Sequence, residues 1–106
     1  MLGLLKMNTG KKINVNELDN LIGDIDLIDV RETYEFKNQS IKSAQNIPMG
    51  QLVSDPNKYL AKDNTYYLIC ESGARSARTC NYLTKQGFNV INVLGGVSSY
   101  DGKYKS

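Results

Sequence analysis

Thr65-Tyr66-Tyr67-Leu68-Ile69-Cys70-Glu71-Ser72-Gly73-Ala74-Arg75-Ser76 changes character part-way along. The first five residues are β-branched, aromatic or aliphatic, with no polar alternation. Such a run reads as a strand covered on both faces, the pattern of a parallel sheet inside helical layers. After Cys70 the chain turns polar and passes Gly73. From 75 to 86 the apolar residues Ala77, Cys80 and Leu83 then fall in helical register, and Gly87 ends the run. A buried strand feeding a helix through a short loop is half of a βαβ unit.

Working outward, the same alternation repeats. Residues 13–15 read as a first strand. Asn16 is placed to cap a helix with Asp19 at its third position, Leu18, Leu21 and Ile22 on one face, and Gly23 at its end. Residues 25–30 are a second strand, 44–47 a third closed by Pro48, and 90–93 a last one. Gly95-Gly96 opens a turn, with a short helix expected around 97–100. This order predicts an α/β fold with a mainly parallel sheet. Ligands of such sheets bind at the carboxyl ends of the strands. Asp29-Val30-Arg31 and the segment after Cys70 both belong there.

Composition narrows the function. The chain has 106 residues, 13 basic and 11 acidic side chains, and a net charge of +2. One domain spanning 1–106 is expected at this length. No apolar run reaches the roughly 20 residues of a membrane span, and no basic block marks a nucleic-acid binder. The absence of His removes Ser-His-Asp and Cys-His catalysis. With only Cys70 and Cys80 as thiols, a four-ligand zinc site of Cys and His cannot be built. No metal or cofactor is expected. The opening Met1-Leu2-Gly3-Leu4-Leu5-Lys6 reads as mature sequence and not as a signal peptide. A reducing cytoplasm with both thiols free is the expected setting.

The chemistry concentrates at Cys70. A loop curled around it would turn consecutive backbone N–H groups inward as an anion nest. The following helix adds the positive end of its dipole. Gly73 permits the positive φ of such a curl. Ser76 is placed to help cap the helix, and Arg75 adds a planar cation. Each favours the thiolate, the form of Cys that attacks. Glu71 offsets the charge of Arg75, which leaves anion binding to backbone amides. Arg31 is expected either to touch ligand or to form a salt bridge with Glu32 or Glu35. Arg78 reads as solvated. Cys80 shares the apolar helix face and reads as core, with a resolving thiol as the alternative.

Three further segments carry a family resemblance. Leu27-Ile28-Asp29-Val30-Arg31 is followed by Tyr34-Glu35-Phe36 and then by Ala44-Gln45-Asn46-Ile47-Pro48. The second segment runs from Tyr67 to Ser76, and the third from Gly87-Phe88 to Gly95-Gly96-Val97. In this order, over residues 13–101, they resemble the single-domain rhodaneses. The resemblance implies a rhodanese-like fold, a five-stranded mainly parallel sheet with helices on both faces. It implies that Cys70 carries sulfur as a persulfide, with residues Glu71, Ser72, Gly73, Ala74, Arg75 and Ser76 around the substrate. Asp29 would brace the loop, and Arg75 would stand at its closing end. Ser40 stands where relatives usually have a His, and Tyr100 where they commonly have a Trp.

The expected function is transfer of a sulfane sulfur from thiosulfate or a low-molecular-weight persulfide to a thiol or cyanide. A Cys-dependent phosphatase or arsenate reductase is a second reading, disfavoured because four residues separate Cys70 from Arg75 where that pattern has five. A protein-to-protein sulfur relay and a non-catalytic interaction module are the others. The partners expected are a small-molecule donor, a thiol acceptor and a sulfur-relay protein, with neither nucleic acid nor membrane.

Overall fold

Five segments pair side by side and in parallel, the three central ones apolar and the two edge ones polar. They are β1 (Lys11–Asn14), β2 (Asp26–Asp29), β3 (Gln45–Asn46), β4 (Thr65–Ile69) and β5 (Asn89–Leu94), arranged in the order β1-β5-β4-β2-β3. Leu68 of β4 sits opposite Ile28 of β2 and Asn92 of β5, which fixes the register at the centre of the sheet. The computed structural model describes residues 11–106. The opening stretch, read as mature sequence, lies outside the described residues.

Successive β4 side chains point to opposite faces, so each face has its own core. On one face Tyr66, Leu68 and Cys70 pack with Ile28, Leu52, Cys80 and Leu83. Three helices supply that layer: α2 (Met49–Ser54), α3 (Pro56–Tyr59) and α4 (Ala74–Lys85), numbered after α1 (Thr33–Asn38). The other face holds Ile69, Leu27 and Val93 against Val15, Leu18, Val97 and Tyr100. Its cover is two 3-10 helices, Val15–Asn20 and Val97–Ser99. Fully burying one Leu such as Leu68 or Leu83 contributes about 1.5–3 kcal/mol, so their layer ties α4 to the central strand. No helix among the described residues is long and apolar enough to cross a membrane.

The first helix differs from its sequence reading. Its cap is Asn14, not Asn16: the Asn14 side chain accepts from the Asn16 amide at 2.9 Å, and Glu17 returns the bond to the Asn14 amide at 3.0 Å. That reciprocal box fits a start two residues earlier, where the asparagine stands three before a glutamate. Asn16 instead ties this segment to the chain's far end, donating to the Ser99 carbonyl at 3.0 Å and accepting from the Asp101 amide at 2.7 Å. At the end of α4, Gly87 adopts φ +94°. Its amide and that of Phe88 reach back to the Thr84 and Leu83 carbonyls, each at 3.0 Å. These are the paired bonds by which a left-handed glycine closes a helix.

Candidate active site

Cys70 leaves the end of β4 on the face covered by α4, and the next residues fold back over it. Gly73 adopts φ +102° as the residue capping α4. Its amide then points at the Cys70 sulfur, N to Sγ 3.1 Å, and the Ser76 amide points there from the first helical turn at 3.3 Å. The Ser76 hydroxyl lies 3.3 Å from the same sulfur. Cys70 has no solvent-exposed surface. Burial alone would push its thiol up. The Ser76 hydroxyl and the amides of Ser76, Gly73 and Ser72 outweigh that and hold the pKa below the ordinary thiol value. The sulfur thus lies at the edge of the helix-side core with polar donors of the loop turned toward it.

Ser76 departs from its expected role. It sits at the third helical position, and Gly73 has the cap. Its hydroxyl contacts the Gly73 carbonyl at 3.2 Å and the Asn92 side-chain oxygen at 2.5 Å. Asn92 is a buried polar residue in the middle of β5, and sequence reasoning missed it. Its signal was a polar side chain interrupting Val90-Ile91-Asn92-Val93.

Arg31 and Arg75 are committed to carboxylates. Arg31, 3% exposed, donates through Nε and Nη2 to both Asp29 oxygens at 2.9–3.1 Å, through Nη1 to Glu71 at 3.0 Å, and through Nη2 to the Gln39 carbonyl at 2.6 Å. Neither Glu32 nor Glu35 is its partner. Glu35, on α1, instead receives both Nη groups of Arg75 at 2.8 and 2.9 Å. That pairing holds the Glu35 carboxyl down at about 2, so the bridge is intact at neutral pH. Glu71 therefore answers Arg31 and not Arg75, which corrects the charge pairing inferred from sequence. Asp29 is fully buried and reaches the loop through Arg31 and Glu71. Ser72 and Ala74 are exposed at the loop's rim and Arg78 is exposed one turn further on, while Glu71 is partly covered.

The loop is also closed from behind. The amides of Val97 and Ser98 donate to the Cys70 and Glu71 carbonyls at 2.9 and 3.0 Å. The other two positions that depart from the resemblance are structural. The buried Tyr100 donates its hydroxyl to Asp19 and accepts from the Tyr104 amide at 2.9 Å, while the Ser40 hydroxyl meets that of Ser106 at 3.0 Å. Cys80 is 3% exposed and burial pushes its thiol up to about 12, the reverse of Cys70. Both cysteines are unpaired.

The family model described as "Rhodanese-like domain" matches residues 14–103. The chain belongs to this family. A rhodanese-like relative, "Putative sulfurtransferase YtwF" of Bacillus subtilis, is 43% identical over 79 residues, covering 74% of this chain and 76% of that protein. The "Putative sulfur carrier protein YrkF" of the same organism is 36% identical over 80 residues, 74% of this chain but only 43% of its own length. Among solved structures, a rhodanese-related protein from Thermoplasma volcanium superposes with a TM-score of 0.76 at 36% identity, covering 85% of this chain and 89% of that one. The rhodanese-like fold accounts for the strand order and for a loop at the carboxyl end of the central strand.

The direction of the Cys70 shift gives a pH prediction. A thiol whose folded pKa is depressed is ionised to lower pH than in the unfolded chain. The stability and reactivity this confers are present above the unfolded value and are lost as pH falls through the folded one. Ser76→Ala removes the hydroxyl but keeps the amide, so the midpoint of Cys70 alkylation against pH is expected to move upward. An unmoved midpoint would assign the ionisation to the amides alone.

Proposed function

We propose that this rhodanese-like protein is a sulfurtransferase that carries sulfane sulfur as a persulfide on Cys70. The observation that carries the reading is the convergence of the Gly73 and Ser76 amides on one sulfur, with the Ser76 hydroxyl beside them. Such donors stabilise a thiolate before the reaction and a persulfide anion after it. Relatives named as a sulfurtransferase and a sulfur carrier support the same chemistry.

In the first half-reaction the Cys70 thiolate attacks the outer sulfur of the donor, either thiosulfate or a low-molecular-weight persulfide. A Cys70 S–S bond forms and the donor's S–S bond breaks. The electron pair leaves with sulfite or a thiolate. In the second, a thiol or cyanide attacks the outer sulfur and Cys70 departs as thiolate. No general base is required, and ping-pong kinetics follow. Because Cys70 is covered, the donor's sulfur enters as loop side chains move aside. A sulfur-relay protein is a second acceptor in keeping with the carrier-named relative. A working free thiol fits a reducing compartment, so the cytoplasm is the proposed setting.

The phosphatase reading loses support at the loop. Arg75 is held by both oxygens of Glu35, and two loop amides already serve the sulfur, which leaves few donors for phosphate oxygens. Incubation with thiosulfate, and separately with glutathione persulfide, should add one sulfur (~32 Da by intact mass) that cyanide removes. Hydrolysis of p-nitrophenyl phosphate with no sulfur gain would replace this reading with the phosphatase one.

A further inference from the structure

Every guanidinium bonded into the site is answered by acid. Arg31 is shared between Asp29 and Glu71, and Arg75 faces Glu35. Three carboxylates and two guanidiniums leave this cage with one net negative charge. The cage is not evenly covered. Asp29 is fully buried, whereas the Glu71 side chain, next in sequence to Cys70, is 47% exposed. The positive contribution of the loop comes from backbone amides, and those of Gly73 and Ser76 are spent on Cys70 itself. The exposed rim residues Ser72 and Ala74 are neutral. An incoming donor therefore meets a thiol biased toward its anion and a net acidic cage that, among the described residues, holds no unpaired cation, the exposed Arg78 standing one turn further along α4.

That arrangement penalises a donor in proportion to the negative charge beside its transferable sulfur. Thiosulfate brings two charges on a compact ion. A persulfide R–S–SH with a neutral or cationic R brings at most one, and its own thiolate leaves. Resting on the sulfurtransferase reading above, we propose that the donor is an organic persulfide with a neutral or cationic flank, and that Glu71 is the residue that discriminates against dianionic donors. The step balances without an outside oxidant. The Cys70 thiolate bonds the outer sulfur of R–S–SH, the S–S bond between that sulfur and the RS group breaks, and RS⁻ carries the electron pair away.

The size of the effect follows from Coulomb's law. For a half-exposed carboxylate paired with Arg31, taking an effective dielectric constant of about 40 and a separation of about 10 Å, one unit charge is worth about fourfold in rate per donor charge and so about tenfold or somewhat more for a dianion. Because Glu71 is half exposed, salt should screen it.

The test measures the rate of sulfur gain on Cys70 by intact mass with three donors: thiosulfate, the persulfide of 2-mercaptoethanol and the persulfide of cysteamine. In the wild type both persulfides are expected to load at least about tenfold faster than thiosulfate, cysteamine persulfide fastest. Glu71→Gln should raise thiosulfate loading about tenfold and shrink the persulfide-to-thiosulfate ratio. Raising salt from about 50 to about 500 mM should raise thiosulfate loading and lower that of cysteamine persulfide. Thiosulfate loading the wild type as fast as the persulfides would overturn the proposal. So would a donor ratio unchanged in a Glu71→Gln protein whose circular dichroism and melting are those of wild type. Loading by none of the three donors would instead remove the sulfurtransferase reading on which the proposal stands.

Discussion

Cys70→Ser is expected to take up no sulfur from any donor and to have no measurable sulfurtransferase turnover, with its fold intact. The substitution replaces sulfur by oxygen in a site that already offers two amides and a hydroxyl to the atom at that position, so folding should survive. Chemistry should not, because an alcohol has no accessible anion at neutral pH and forms no persulfide. Cys80→Ser provides the internal control. Cys80 packs against Leu83 and Leu68 in the helical-side core with its thiol pushed up to about 12. That variant should load sulfur as the wild type does, less whatever a buried hydroxyl costs in stability. Sulfur on Cys70→Ser protein, located at Cys80 by peptide mass, would transfer the role to the second thiol.

Gly96→Ala should be among the most damaging single-methyl additions in the chain. Gly96 has φ +63° and ψ −167°, a region open essentially to glycine alone. A Cβ there would lie 2.4 Å from both the Cys70 and the Glu71 carbonyl oxygens. These are backbone atoms and cannot rotate away. The conformational cost is about 1–3 kcal/mol and the overpacking a further 1–3 kcal/mol or so, against a total stability of about 5–15 kcal/mol. Relief requires that Val97 and Ser98 release those same carbonyls, which loosens the loop that holds the sulfur. Urea denaturation should show the stability loss, and the alkylation midpoint of Cys70 should rise in whatever fraction stays folded. Wild-type stability and midpoint in this variant would mean that the turn is adaptable and does not shape the loop.

What could be read in advance followed from the range over which each signal acts. β4 matched its sequence bounds because five consecutive apolar residues need no partner to be recognised. The end of α4 was legible because a left-handed glycine acts on its own helix. By contrast α1, α2 and α3 have four to six residues, too few for a helical period to show. Local hints existed, in the Glu32 and Glu35 capping box and in Pro56 at the first turn of α3. The Glu35 to Arg75 bridge spans 40 residues of chain and the Ser76 to Asn92 bond 16. Such pairings are products of tertiary packing, and residue type alone does not choose among several acids. Arg31 shows this: Glu32 and Glu35 stand close in sequence, yet Asp29 and Glu71 take the guanidinium.

On denaturation the ionisation of the two thiols should shift in opposite directions. Unfolding ordinarily uncovers a sealed cysteine and makes it react, and Cys80 should follow that rule. Cys70 owes its ionisation to amides gathered from the turn after β4, and that turn is clamped by residues near the other end of the chain. When the clamp fails, its pKa should rise toward the ordinary thiol value just as that of Cys80 falls toward it. A pair of reporters with opposite sign, in one short polypeptide, would separate local fraying of the sulfur-carrying loop from collapse of the whole molecule.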